Sequence, residues 1–309
     1  MEAMLKFSPH LDTKSICYLS PKPMITLHQN FLPLKRSRVI MCFSSSPGYL
    51  DNIRKSLIRQ EDTIIFSLLE RVQYSDDSVR DNDGLFSDYF EWTIVEHMII
   101  EKEKLYAKLG RYKSEEENPF FPQQLPRSIV VPQQYPKILH RCADSININD
   151  KIWPIYFTEI VPELLKARNN DECGSIIPEL VKAGNNVECG SIAVCDILCL
   201  QALSKRIHYG KFVAEAKFQD ARSEYEAAIK AKDRKLLLEL VTYETVEAIV
   251  KKRVELKAKT FGQVVKIDEE NVANPTYKIK PSFIPKLFED IVMPFTKEVQ
   301  VEYLLRRLD

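Results

Sequence analysis

Glycine is scarce in this chain, at 8 residues of 309. A fold built on tight turns needs far more, so the shortage speaks against a turn-rich β architecture, and the abundant Leu, Ile, Glu and Lys favour helices. An excess of either charge is also missing. Lys plus Arg and Asp plus Glu both number 44, so no overall field draws the protein to nucleic acid or to an acidic membrane surface. The seven cysteines (Cys17, Cys42, Cys142, Cys173, Cys189, Cys195 and Cys199) form no CxxC pair. An odd, scattered set points to reduced thiols and not to a disulfide framework. Cys195 and Cys199 share a helix face, but no third and fourth ligand at a zinc-like spacing joins them, so they read as small buried hydrophobes and no metal site is expected. No apolar run approaches the ~20 residues that cross a bilayer, which leaves a soluble protein with no membrane partner.

What is present centres on Ser191 to Phe218, SIAVCDILCLQALSKRIHYGKFVAEAKF, which reads as one long helix. Arg206 and Lys217 are eleven residues apart, and at ~100° per residue that is three turns plus about 20°, so both face one way. Between them on the stripe lie Gly210, Val213 and Ala214. A glycine inside a helix costs roughly 1 kcal/mol relative to alanine, so Gly210 implies that something approaches the backbone there. Such a stripe suits a compact anion lying along the helix. On spacing alone a solvated basic face is the favoured reading, because Lys205, His208 and Lys211 are close by.

Along the chain, residues 1 to 44 hold six basic residues against two acids, with scattered Ser, Thr and Pro. This has the make-up of an organelle transit peptide, most plausibly plastid, leaving residues 45–309 as one helical domain. Tyr49 to Tyr74 has helical apolar spacing with Asp51 as its N-cap; Glu61 falls in the buried stripe and Arg54 at its edge, each needing a partner or a site. A second helix runs over Ser87 to Leu109, with Phe90, Ile94, Met98 and Leu105 inward and Gly110 ending it. Five prolines from Pro119 to Pro136 then mark a long connection, whose Phe120, Phe121 and Tyr135 favour packing. After a helix through Trp153 and Tyr156, the sixteen residues Ile160 to Ser175 repeat at once as Ile176 to Ser191, with twelve positions identical. Two copies are too few for a solenoid, so this is a local tandem duplication in which Pro162 and Pro178 open short helices and Gly174 and Gly190 follow turns. Helices over Ser223 to Ala231 and Asp233 to Val241, a break at Thr242 to Thr245, a helix from Val246 to Thr260 carrying Glu247, Arg253 and Lys257, and a terminal helix after Pro294 complete the all-α reading. Thr296 and Gln300 share a face of that last helix, and Arg306 and Arg307 lie at its end, where cations favour the dipole.

Three strings, IRKSLIRQEDTIIFSLLER, KRIHYGKFVAEAKFQ and TKEVQVEYLLRRLD, occur in this order. Together they resemble the all-helical, regulated chorismate mutases of plants and fungi over about residues 49 to 309, and the N-terminal extension fits a plastid member, placed in the chloroplast stroma. The resemblance implies a helical homodimer without metal or organic cofactor that rearranges chorismate to prephenate in phenylalanine and tyrosine biosynthesis. Carried over residue by residue, it implies that Arg54 and Arg206 clamp the two substrate carboxylates, with Thr296 helping. Lys217 and Gln300 would donate to the breaking ether oxygen, and Glu247 would accept from the ring hydroxyl. A glutamine at position 300, where fungal members can have glutamate, implies a rate that is flat between about pH 6 and 9, since an amide does not titrate there. The family's effector site for aromatic amino acids would fall on Gly110, Arg111, Gly190, Ser191 and Val194, and the duplication directly ahead of Gly190 is expected to weaken or abolish that response. Two rival readings are a catalytically silent partner of another mutase and a nucleic-acid-binding helix using Lys205, Arg206, Lys211 and Lys217 among Tyr209, Phe212 and Phe218. The balanced charge argues against the second, so no nucleic-acid partner is expected.

Overall fold

The structure, a computed structural model, describes residues 49–74, 93–131, 137–168, 186–265 and 275–309, all within the unit Ser44–Asp309. The basic stretch 1–44, Phe90, Pro132, Tyr135, Pro136, Gly174 and Pro178 lie outside the described residues. Among those described, extended pairing is confined to two isolated antiparallel bridges, Arg168 to Ile279 and Gln263 to Tyr277, and helices carry the rest of the regular structure, as the composition predicts.

Helix α1 (Tyr49–Arg71) follows the apolar spacing, burying Ile53, Ile64, Ile65, Leu68 and Leu69. Asp51 is not its cap: it sits inside the first turn, where its carboxylate pairs with Arg54 at 3.0 Å. Helix α2 (Ile94–Lys108) starts later than predicted, at a capping box in which Thr93 and Glu96 satisfy each other's backbone N–H. Gly110 follows it with φ 78°, the left-handed conformation that glycine adopts without strain. The inward face also differs. Ile94 and Met98 pack against the core, but Leu105 is exposed, and Val95, Ile99, Ile100 and Ala107 are buried together with Glu103. An acid is tolerated there because its oxygens accept the Phe120 and Phe121 N–H groups at 2.8 and 3.0 Å. Those bonds fasten the proline-rich connection, and both rings pack edge-on against Trp153.

Helix α3 (Asn149–Ile155) passes through a π turn at Tyr156–Ile160 into α4 (Val161–Lys166), with Pro162 in its first turn as predicted. The expected single basic helix is two: α5 (Asn186–His208) and α6 (Gly210–Asp220), parted at Tyr209, whose carbonyl accepts from Phe212 three residues on, at 3.1 Å. Then follow α7 (Arg222–Lys230), α8 (Arg234–Val241), capped by Asp233, and α9 (Glu244–Gly262), so the predicted break shrinks to Thr242 and Tyr243. Helix α10 (Phe283–Leu287) runs through a second π turn into α11 (Met293–Leu305). Arg306 and Arg307 lie just past its end, and Arg307 forks onto the buried Glu215 carboxylate at 2.6 and 2.9 Å.

Helix α5 lies against α1 and α2, while α11 packs on α6 and α8 and α9 on α1 and α10. The close approach at Gly210 is made by α11: a Cβ there would stand 2.7 Å from the Thr296 carbonyl oxygen. The glycine therefore sets how near α6 comes to the helix carrying Thr296 and Gln300. Gly210→Ala is expected to destabilise the fold by roughly 1–3 kcal/mol through overpacking, seen as a lower urea midpoint with an unchanged slope.

Candidate active site

Six helices meet around a cavity of about 360 Å³, with α8 contributing Val241. Arg54 comes from α1, Arg206 from α5, Lys217 from α6, Glu247 from α9, and Thr296 and Gln300 from α11, so all six residues singled out from the sequence line the same space. The pairing of Arg206 with Lys217 survives the break at Tyr209, since both side chains reach the cavity. Leu57, Val213, Val246, Val250 and Met293 supply apolar wall between the polar groups.

The charges are unequal in exposure. Arg54, at 63% side-chain exposure, sits on the rim with its guanidinium engaged by Asp51. Arg206 is 5% exposed, and among the described residues its one hydrogen bond is to Thr296 Oγ1, at 3.4 Å, while Nε has no partner. Burial pushes its pKa down to about 10, partly opposed by Glu61, so the group stays cationic at neutral pH. Thr296 gives its own proton to the Val292 carbonyl at 2.6 Å, which turns a lone pair toward Arg206. Burial likewise pushes Lys217 down to about 8, with Glu247 drawing it up and Lys297 depressing it further. Its Nζ donates to the Val241 carbonyl at 2.9 Å and lies 4.3 Å from the centre of the Tyr243 ring. Gln300 is nearly buried; its Nε2 reaches the Thr296 carbonyl at 3.3 Å, and Oε1 accepts from nothing among the described residues. Glu247 pairs with Lys297 at 3.0 Å.

Lys297, Asp220 and Tyr243 also line the cavity, and sequence spacing does not single them out. Lys297 follows Thr296 directly, about 100° around the helix, so the spacing that pairs Thr296 with Gln300 hides it. Tyr243 lies in the break before α9, where no periodicity applies. Glu61, read as needing either a partner or a site, has partners: its fully buried carboxylate accepts from Arg253 at 2.6 and 2.8 Å and from Lys257 at 3.0 Å, joining α1 to α9 behind the cavity.

The effector residues are arranged differently. Gly110 and Arg111 follow α2, with Arg111 bonded to Glu117 at 3.1 Å and stacked on Tyr106. Gly190 and Ser191 do not precede the basic helix or follow a turn. They are inside α5, a turn ahead of the half-exposed Val194, because the helix already starts at Asn186. None of the five lines this cavity.

A cavity lined by four cations, Arg54, Arg206, Lys217 and Lys297, against two carboxylates, Asp220 and Glu247, with no Ser, Cys or His in its wall, suits an intramolecular rearrangement of a small dianion. The sequence model for chorismate mutase type II matches residues 189–301, and the chain belongs to the chorismate mutase family. It is 53% identical to chorismate mutase 3, chloroplastic, of Arabidopsis thaliana over 90% of this chain and 84% of that one. The crystal structure of AtCM1 with tyrosine bound in its allosteric site matches with a TM-score of 0.70 at 50% identity, covering 84% of this chain and 96% of that one. The chloroplast chorismate mutase from Zea mays matches with a TM-score of 0.67 at 49% identity, again covering 84% and 96%. For the framework behind the cavity, Glu61→Gln is expected to lower stability by about 3 kcal/mol, as removal of one member of a buried ion network does, measurable by chemical denaturation.

Proposed function

We propose that this cavity binds chorismate in its folded, diaxial form and that the six lining residues carry the rearrangement to prephenate. The activity is that of the family, an isomerase reaction of aromatic amino acid biosynthesis, and the enzyme resides in the plastid as its chloroplastic relatives do. One observation supports the assignment of roles above all: the buried Arg206 and the half-buried Lys217 open with Gln300 into one small space. The reaction breaks an ether C–O bond as a C–C bond forms in the same molecule, so it needs no nucleophile and no proton transfer. Catalysis then rests on holding the reactive conformer and on donors fixed where charge develops on the ether oxygen.

In this reading Arg206 takes one carboxylate through its guanidinium fork, held in aim by Thr296, and Arg54 swings from Asp51 to close on the other. Lys217 and Gln300 donate to the ether oxygen from opposite sides. Glu247, kept in place by Lys297, accepts from the ring hydroxyl. Replacing Arg206 or Lys217 by Ala, with chorismate loss followed by absorbance, should lower kcat/KM at least ~100-fold, as removal of one such donor does elsewhere. Near-normal turnover in both variants would refute the assignment.

Residues 1–44 serve in this reading as the plastid transit peptide and 45–309 as the catalytic domain, assembled as a homodimer. An aromatic amino acid binds away from the catalytic cavity, at Gly110, Arg111, Gly190, Ser191 and Val194, as tyrosine and phenylalanine occupy an allosteric site in AtCM1. The tandem duplication ahead of these α5 residues weakens the response. The first copy supplies Val161 and Leu164 to the core, and the second repeats that pattern at Ile177 and Leu180. A chain lacking Ile160 to Ser175 therefore keeps its core pattern and should gain effector sensitivity in the same assay; an unaltered response refutes the link.

Lys217 changes the pH expectation drawn from Gln300 alone. The lysine works as a cation, so activity is present below its pKa and lost as pH rises through it. The free-enzyme profile, kcat/KM, should be flat from about pH 6 and fall above about 8. The limb in kcat should lie higher, because a bound dianion raises the pKa of its cationic partner. Gln300→Glu should move the optimum to acid, since a carboxyl donates only when protonated; an unchanged profile contradicts the role given to Gln300.

A further inference from the structure

One feature of the cavity has no part in the six roles. Lys217 is the donor that must be aimed most finely, yet its four-carbon stem rotates freely and an ammonium has three equivalent N–H bonds. Two contacts remove that freedom. The Val241 carbonyl, at the end of α8, takes one N–H at 2.9 Å, and the Tyr243 ring covers another side of the ammonium at 4.3 Å. One contact comes from the last residue of α8 and the other from the short link between α8 and α9, and both Val241 and Tyr243 line the cavity. The link itself is anchored: Tyr225 on α7 donates to the Leu240 carbonyl at 3.1 Å, tying α7 to the end of α8 just ahead of Tyr243.

We infer that Tyr243 is a positioning residue for the rearrangement, its ring and the Val241 carbonyl together occupying two sides of the Lys217 ammonium so that the remaining N–H points into the cavity. The inference rests on the catalytic reading of Lys217. Tyr243 need not touch the substrate's reacting atoms; it acts through the lysine. A ring face is suited to this because it attracts a cation without accepting a directed hydrogen bond as strongly as a carboxylate would. A carboxylate in the same place would compete with the ether oxygen for the proton-bearing face. The charged groups around Lys217 are Asp220 on its own helix, Glu247 on α9, Lys297 on α11, Arg206 on α5 and Arg54 on α1, all lining the same cavity. Of these, Glu247 and Lys297 act on its ionisation in opposite directions.

The test is the pH dependence of kcat and KM between about pH 6 and 9.5, a window spanning the lysine's limb, for the wild type, Tyr243→Leu, Tyr243→Phe and Lys217→Ala. Leucine keeps the site dry but removes the ring's attraction for the cation. Tyr243→Leu should lower kcat by roughly 5- to 30-fold, the range a partly desolvated cation–π contact accounts for, with a smaller change in KM. It should also move the alkaline limb of kcat/KM to lower pH, since the protonated lysine loses a stabilising partner. Tyr243→Phe should restore both. If the leucine variant does not fold, Tyr243→Met makes the same comparison. A Leu or Met variant with wild-type kcat and an unmoved limb, beside an inactive Lys217→Ala, overturns the role of Tyr243 and leaves the catalytic reading standing. Equal loss in the Leu and Phe variants with an unmoved limb also overturns it, marking a merely structural tyrosine. Wild-type turnover by Lys217→Ala overturns both.

Discussion

A guanidinium with 5% of its surface exposed and one long hydrogen bond is a costly thing for a protein to keep. Unpaired buried charge is disfavoured by several kcal/mol, and most folds neutralise it or turn it out to solvent. Here Arg206 is held inside by neighbours that do not pair with it. Glu61 lies near enough to oppose the effect of burial on Arg206, but its own carboxylate is taken by Arg253 and Lys257. Thr296 offers one lone pair. The site is therefore assembled in advance with an unmet demand for a negative charge, which in the proposed function a dianionic substrate meets. Lys217 repeats the design on the next helix, half-buried and, among the described residues, tied to a carbonyl and a ring.

The scaffold serves as the means of holding that charge in place. Gly210 lets α11 approach α6 closely, which brings Thr296 and Gln300 beside Arg206 and Lys217. The Glu61 network joins α1 to α9 and so fixes the side of the cavity that carries Glu247. On the far side of α5, Asp196 accepts from both Arg71 and Tyr156 at 2.6 Å, locking α5 against α1 and the π turn after α3. The carboxylates at the centre of these contacts, Glu61 and Asp196, are buried and paired, and they specify one packing of helices that hydrophobic contacts alone would leave less unique.

Much of this is legible in the sequence, for physical reasons that also explain the misses. An eleven-residue spacing returns to the same helix face, so residue numbers alone pair Arg206 with Lys217, and the roughly 1 kcal/mol scale of a helical glycine makes Gly210 a marker of close approach. What approaches it is a neighbouring backbone and not a ligand, which spacing cannot reveal, because it describes one helix and says nothing of which partner crosses it. The face of α2 misleads for a similar reason. Glu103 looks like a solvent residue until the Phe120 and Phe121 amides are brought to it from a loop, and once it turns inward Leu105 turns out. Asp51 has the residue type of a cap, whereas the helix starts two residues earlier, at Tyr49. Tyr243 and Lys297 carry no signal at all, one lying in a helix break and the other about a third of a turn from its functional neighbours.

The claim at the centre is that Arg206 is kept charged and dry for the substrate at a cost to the fold. Its most direct test compares wild type with Arg206→Met in two measurements on the same preparations: thermal unfolding, and calorimetric binding of a rigid bicyclic dicarboxylate shaped like the folded transition state. The account predicts that the variant binds the dicarboxylate at least ~100-fold more weakly while unfolding at the same temperature or higher, because a buried unpaired charge has been replaced by an apolar group of similar length. A variant that melts well below the wild type yet still binds the dicarboxylate tightly would show that Arg206 serves the fold and not the site, and would contradict it.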